Sequence, residues 1–254
     1  HQGDTMKHII VKTSSLWFSL LLGFILATSA GATAIGPDIS ATGSIEIITD
    51  PGVLFGDSTN LTGEIKTVES GGTTTSAYDG SGATGTNPLT ATFTETGNGL
   101  GLSGTADETY GAGTDAFGAG IEFAFDLTNS SVTDSFEVIF KASFSNWIDA
   151  SGPDAYTDSE FLIFNPFPTE ALFSDFRSDS LFGNEENGGG TGGFGGSIGE
   201  TGDLLFSVIL DPGDTRTVSG EWNLVGEIFD DGDIGADFSA LITIDSVINT
   251  TTPI

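Results

Sequence analysis

The sequence predicts an all-β protein, an antiparallel β-sandwich or jelly-roll, and three observations support this prediction. Apolar and polar residues alternate over residues 121–127 and 136–144, as in strands with one buried face. Glycine occurs 37 times, about twice its usual share of roughly 7%, which favours turns and short strands over long helices. Twenty phenylalanines supply a core that needs two layers to cover it. One domain, over residues 35–248, is favoured over two smaller ones.

The amino-terminal residues have the pattern of an export signal. Residues 1–5 are extra residues before the only methionine, which opens a short basic region. An apolar run over residues 16–27 is too short to span a bilayer and leads into small residues. The pattern predicts a helical Sec-type signal peptide over residues 6–34, cleaved after Ala34 or, as second choice, after Ala32. The alternative is an uncleaved amino-terminal anchor.

The first half of the predicted domain contains four candidate strands before the strongest alternation begins. These are residues 39–48, 61–68, 89–96 and 99–110. The last two flank Gly97-Asn98-Gly99, a hairpin signal, so they are expected to pair with each other. Residues 70–87 are rich in Gly, Ser and Thr and predict a loop with at most a short edge strand.

The strongest alternation, over residues 121–127 and 136–144, is interrupted by a turn-rich segment. The two strands are therefore expected to form an antiparallel hairpin. The pattern places Phe123 and Phe140 on the buried face, and Glu122 and Lys141 on the exposed face.

The second half of the domain contains further strands separated by Asp-, Pro- and Gly-rich turns. Candidate strands are residues 156–164, 171–176, 204–210, 215–229 and 238–247. Eight of the sixteen residues 184–199 are Gly, which predicts a long flexible surface loop. Residues 249–254 form a polar tail, and the natural chain is expected to continue beyond Ile254.

The charge balance is strongly acidic, with a formal net charge of −30. After residue 34 the chain has four basic and 35 acidic residues, a balance of −31. Such a surface repels phosphate backbones and anionic lipids, so no nucleic-acid partner is expected. The acidity indicates either solubility in salty surroundings or divalent cation binding.

The residue types present exclude several kinds of chemistry. The sequence has no Cys, and both His residues precede residue 35. Disulfides, Ser-His-Asp and Cys-His catalysis and His-ligated metal centres are therefore excluded from the predicted domain. Paired carboxylates hydrolyse glycosides without His, but no motif singles out an acid and a base, and we expect a non-enzymatic protein.

One acidic turn resembles the beginning of a calcium loop. Residues 230–237 read Asp-Asp-Gly-Asp-Ile-Gly-Ala-Asp and depart from the EF-hand pattern after the fourth position. Calcium is the one cofactor that the sequence suggests, with a solvated acidic turn as the alternative. The candidate ligands are Asp230, Asp231, Asp233 and Asp237.

Three aromatic residues are candidates for stacking on a sugar ring: Trp147, Tyr156 and Trp222. Trp222 continues the face of Val218 and Leu224, which favours a place in the core. Tyr156 follows an acidic loop and is the more exposed candidate.

Four segments resemble secreted β-sandwich proteins of the PEP-CTERM class, the exosortase substrates of Gram-negative bacteria and cyanobacteria. They are Gly-Pro-Asp-Ala-Tyr at 152–156 running into Ser-Glu-Phe at 159–161, residues 178–183, residues 210–214 and Ser-Gly-Glu-Trp at 219–222. The Pro-Glu-Pro motif, apolar helix and Arg cluster that define the class do not occur in the 254 residues. The resemblance implies export and association with a surface or matrix, and it supplies no catalytic residues.

These observations predict a secreted or cell-surface protein with a structural or adhesive role in an extracellular matrix. Its expected partners are extracellular polysaccharide or other matrix proteins, with no stable membrane span in the 254 residues. The alternative is a carbohydrate-binding module supported by calcium.

Overall fold

The computed structural model describes residues 32–49, 60–69, 72–79, 85–110 and 115–251. The predicted signal peptide lies outside the described residues up to residue 31, and the predicted polar tail lies outside them from residue 252. Thr33 and Ala34 lie between the two predicted cleavage sites and pair with Thr96 and Glu95, respectively. No helix that is long and apolar enough to cross a membrane occurs in the described part of the chain.

The described residues form fourteen β-strands in two antiparallel sheets, and this confirms the predicted all-β sandwich. The larger sheet has eight strands in the order β11-β10-β9-β8-β13-β6-β1-β4, and the smaller has six in the order β12-β7-β14-β5-β2-β3. The strands are β1 Ile39–Thr49, β2 Asn60–Glu69, β3 Gly72–Asp79, β4 Leu89–Phe93, β5 Gly99–Tyr110, β6 Asp115–Asn129, β7 Phe136–Ser151, β8 Ala155–Phe164, β9 Glu170–Asp179, β10 Glu185–Glu186, β11 Gly189–Gly190, β12 Ile198–Leu210, β13 Thr215–Ile228 and β14 Gly232–Asn249.

Aromatic rings fill the space between the two sheets. Phe125 on β6 meets Phe140 on β7 edge to face, with ring centroids 5.1 Å apart. Trp222 on β13 stacks on Phe238 of β14 at 4.5 Å, and the ring of Phe238 also contacts Phe161 of β8 at 5.0 Å. Each pair joins one sheet to the other, so the core is continuous across the sandwich. Burying one such side chain contributes roughly 1.5–3 kcal/mol, which makes these rings a main source of stability.

Both predicted hairpins are wrong, although the predicted strands and their buried faces are correct. β6 pairs with β1 and β13, whereas β7 pairs with β12 and β14 in the other sheet. β4 and β5 are separated in the same way, since β4 pairs with β1 and β5 with β2 and β14. Neighbouring strands of one sheet point their apolar side chains in the same direction. Two successive Phe-rich faces bury each other only if the chain crosses to the opposite sheet.

A buried asparagine stabilises each of these crossings. The Nδ2 of Asn129, at the end of β6, donates to the carbonyl oxygens of Asp134 at 2.7 Å, Leu210 at 3.1 Å and Asp211 at 3.0 Å. Asn98, between β4 and β5, accepts a hydrogen bond of 2.6 Å from the Val68 amide on its Oδ1. Both side chains are almost completely buried. They satisfy backbone groups that the two crossings leave without strand partners.

Two segments predicted as loops contain strands. β3 is an eight-residue edge strand within the segment for which at most a short strand was expected. The Gly-rich segment 184–199 contains the short strands β10 and β11, which extend the larger sheet, and the start of β12. Asn184 anchors this segment, since its Nδ2 donates to the Gly195 carbonyl at 2.9 Å and its Oδ1 accepts from the Asp179 amide at 3.0 Å. Hydrogen bonds, rather than apolar periodicity, define the local structure there.

We expect Phe140→Asp to prevent folding and Lys141→Ser to be nearly silent. Phe140 is fully buried, whereas Lys141 is exposed on the opposite face of β7. A buried carboxylate without a partner costs several kcal/mol, comparable with the roughly 5–15 kcal/mol net stability of a domain. Far-UV circular dichroism and thermal melting measure both variants. Equal tolerance of the two substitutions would show that the faces of β7 are assigned wrongly.

We expect Asn129→Ala to lower the free energy of unfolding by about 3 kcal/mol, because three buried or partly buried carbonyl groups lose a donor. Asn60→Ala, at an exposed position on β2, is the matched control and is expected to change it by less than about 0.5 kcal/mol. Urea unfolding of both variants gives the comparison. A stability of Asn129→Ala equal to that of the control would contradict the anchoring role of this side chain.

Candidate functional site

Trp222 lies in the core and is not available to a sugar. Its side chain is completely buried, and its Nε1 donates a hydrogen bond of 2.8 Å to the Ser159 hydroxyl. The face that it shares with Val218 and Leu224 is the buried face of β13. The core placement favoured by the sequence is therefore correct, and sugar stacking by Trp222 is excluded.

Sequence reasoning missed a buried polar network beneath Trp222. The Ser159 hydroxyl donates to Asn146 Oδ1 at 2.6 Å, and Asn146 Nδ2 donates to the Ser174 hydroxyl at 3.3 Å. Asn146 belongs to β7 of the smaller sheet, and the other members belong to the larger sheet. The network therefore joins the sheets with hydrogen bonds. The sequence signal for it is that Asn146 interrupts the buried face between Phe144 and Ile148.

Trp147 lies on the outer face of the smaller sheet, where 41% of its surface is exposed. Its Nε1 donates to the Thr201 hydroxyl at 3.3 Å. The indole packs closely on the neighbouring strand, because a Cβ added at Gly199 would lie 2.9 Å from Trp147 Cδ2. Of the three aromatic residues predicted to contact a sugar, Trp147 is the most accessible.

Tyr156 lies on the outer face of the larger sheet and is only partly exposed. The Arg177 guanidinium lies 5.0 Å from the centroid of its ring, and its hydroxyl donates to Glu227 Oε2 at 3.4 Å. Partial burial, and then the negative charge of Glu227, raise the pKa of the phenol. The ring already has protein partners on one face and at its hydroxyl. It is a poorer stacking surface than the sequence indicated.

A shallow depression of about 370 Å³ adjoins Tyr156 and includes Asp158, Glu160, Arg177 and Asn223 in its lining. Burial, followed by repulsion from Asp175, raises the pKa of Asp158 to about 6. The pKa of Glu160 is also raised, first by burial and then by the charge of Asp175. Arg177 forms an ion pair of 3.2 Å with Asp179, so it neutralises this group of carboxylates only in part.

A second depression on the same face contains three glutamates in one row across the sheet. Glu46 lies opposite Glu122, and Glu122 lies opposite Glu221, on the adjacent strands β1, β6 and β13. All three line a volume of about 370 Å³. Like charges directly opposite each other in a sheet are destabilising. The outer face of the larger sheet is therefore an acidic surface that repels polyanions.

The two carboxylates beside Tyr156 that have raised pKa values, Asp158 and Glu160, do not divide into a catalytic acid and a nucleophile. Asp158 and Glu160 are two residues apart on β8, so they project side by side from one strand. Glycoside hydrolysis needs two carboxyl groups that flank the scissile bond, with one acting as acid and the other as nucleophile or base. The pKa values of Asp158 and Glu160 are both raised, on an open surface, so they do not indicate which group would act as acid and which as nucleophile or base.

The four aspartates predicted to bind calcium are spread along a turn and a strand. Asp230 and Asp231 lie on the turn before β14, and Asp230 accepts a hydrogen bond from the Asp231 amide. Asp233 and Asp237 lie on the outer face of β14, four residues apart. No group of three or more acidic or His side chains positioned for a metal ion occurs among the described residues. The calcium site stays a prediction from the sequence.

We expect Asp158→Asn to raise the melting temperature at pH 7.5 and to leave it almost unchanged near pH 4. The folded protein keeps the Asp158 proton up to pH about 6, whereas the unfolded chain releases it near the ordinary value of 3.8. The folded state therefore binds more protons in this interval, and the free energy of unfolding falls as pH rises from about 4 to 6.

Asp245→Asn, at an exposed position on β14, is the control for this experiment. It removes one negative charge without removing the buried carboxyl. Equal gains in melting temperature at pH 7.5 for both variants would show that net charge, and not the surroundings of Asp158, determines the effect.

Comparison of this chain with known proteins finds only distant similarities, and these are to solved structures. No protein-family model and no curated protein matches the chain. The chain is similar to the VP2 subviral particle of infectious bursal disease virus, with 10% identity, a TM-score of 0.19 and coverage of 86% of this chain and 66% of that one. It is also similar to the T13 particle of that virus, with 9% identity, a TM-score of 0.14 and coverage of 87% and 65%. The chain thus spans about two thirds of those viral chains. Likenesses this distant bear on neither ligand nor activity.

Proposed function

We propose that this chain is an exported, non-enzymatic structural or adhesive protein of a cell surface or extracellular matrix. One observation carries the proposal: a continuous apolar core occupies the space between the sheets, and the two depressions described above are open and lie on an outer face. Trp147 is on the outer face of the smaller sheet, and the glutamate row is on that of the larger sheet. Broad open faces suit contact with large partners such as polysaccharides or other matrix proteins.

The distribution of charge supports a role outside the cell rather than at a nucleic acid. The net charge of −30 and the acidic outer face of the larger sheet repel phosphate backbones. An acidic surface also keeps a protein soluble in salty surroundings. The apolar run over residues 16–27 and the resemblance to exosortase substrates support export.

A carbohydrate-binding module, with or without support from calcium, is the second candidate. The observation that favours it is the exposed indole of Trp147, which lies beside the Thr201 and Ser145 hydroxyls. Aromatic rings contact the apolar face of a sugar, and neighbouring hydroxyls exchange hydrogen bonds with it. Adhesion to a polysaccharide would unite the two candidates.

We expect the full chain, produced in a Gram-negative host, to be recovered outside the cytoplasm. Replacing Leu21 and Leu22 with Arg interrupts the apolar run and is expected to keep the protein in the cytoplasm. The same charges at Ser14 and Ser15, before the run, are the matched control and are expected to leave export intact. Immunoblots of cytoplasmic, membrane and extracellular fractions measure the outcome. Cytoplasmic retention of the unaltered chain would refute the export proposal.

A further inference from the structure

Five hydroxyl side chains form one row across the outer face of the smaller sheet. The strand register places Thr201 opposite Ser145, Ser145 opposite Ser239, Ser239 opposite Ser103, and Ser103 opposite Thr62. The row crosses the five adjacent strands β12, β7, β14, β5 and β2. At the usual spacing between strands it extends over roughly 19 Å. It is therefore long enough to contact more than one sugar ring.

The indole of Trp147 lies at one end of this row. Its N–H donates to Thr201, the first member, and Ser145 shares a hydrogen bond of 3.2 Å with the same Thr201 hydroxyl. The hydroxyls of Ser239 and Ser103 make no hydrogen bond to the part of the chain that the structure describes. They keep their donors and acceptors available to a ligand.

The chemistry of this surface fits a neutral polysaccharide. A sugar ring presents an apolar C–H face, which an exposed indole covers, and hydroxyl groups, which serine and threonine hydroxyls bind. The row contains no charged side chain, so it offers no ion pair to a basic or an acidic peptide. The net charge of −30 disfavours an anionic polymer.

The other exposed aromatic candidate fits such a ligand less well. Arg177 covers one face of Tyr156, and Glu227 holds its hydroxyl. The adjoining depression is acidic, and the pKa values of Asp158 and Glu160 are raised first by burial and then by the nearby charge of Asp175.

We propose that the outer face of the smaller sheet is a binding surface for a neutral polysaccharide, with Trp147 stacking on a sugar ring and the hydroxyl row binding the chain beyond it. This inference rests on the proposed role in adhesion and assigns the surface that performs it. It assigns polysaccharide binding to this face and not to the outer face of the larger sheet.

The test measures retention of the purified full chain on insoluble β-1,4-glucan and on chitin, with alginate as the anionic polymer. Trp147→Ala is expected to weaken binding to the neutral polymers at least tenfold, and Ser145→Ala with Ser239→Ala several-fold. Phe173→Ala is the matched control, since Phe173 is 40% exposed on the outer face of the other sheet, and it is expected to bind as the unaltered chain does. Melting temperatures of all variants show whether each remains folded.

Four results would overturn the inference. Unchanged binding by folded Trp147→Ala would remove its central contact, and loss of binding by Tyr156→Ala alone would move the site to the larger sheet. Retention on alginate but on neither neutral polymer would reverse the ligand class. If the exported protein is retained on none of the three, this ligand class is wrong, whereas the export proposal still stands on its own fractionation experiment.

Discussion

The packing of Phe-rich strand faces against each other determines the path of the chain. β6 and β7 each present such a face, and Phe125 and Phe140 meet between the sheets at 5.1 Å. Two successive faces of this kind cannot cover each other within one sheet, so the chain crosses to the other sheet between them. The same crossing occurs between β12, β13 and β14. This alternation commits every second side chain to the core and leaves the others to form two broad outer faces.

The strand register of each sheet determines which polar side chains become neighbours on its outer face. In the larger sheet the register aligns Glu46, Glu122 and Glu221, and their repulsion lowers stability. In the smaller sheet the register aligns serines and threonines beside Trp147. A protein with few basic residues cannot neutralise both faces. The hydroxyl row itself contains no charged side chain, and Asp237 lies opposite Trp147 on the same outer face.

The sequence predicted strands and buried faces well, because alternation is a local property. The predicted strand over residues 99–110 coincides with β5, and Phe123 and Phe140 are buried as expected. The pairing of strands was not predictable from turn residues. Asn98 forms hydrogen bonds with Val68 and Ile244, which are distant in sequence, so the Gly-Asn-Gly segment supports a crossing between sheets instead of a two-residue hairpin.

In the candidate site, too, the local sequence pattern predicts which face of a strand a residue occupies, but it does not predict which residues of other strands lie beside it. Trp222 and Trp147 both lie on strands with alternating buried and exposed residues. Trp222 is on the same, buried face of β13 as Val218 and Leu224. Trp147 is on the same, outer face of β7 as Lys141 and Ser145. The position of each residue in the alternation of its strand therefore identifies Trp147 as the accessible ring. The hydroxyl row beside it comes from five strands distributed over the whole domain, and its alignment depends on the pairing that the core imposes. A buried constraint, the contact between Phe-rich faces, thus determines which polar side chains become neighbours on the surface.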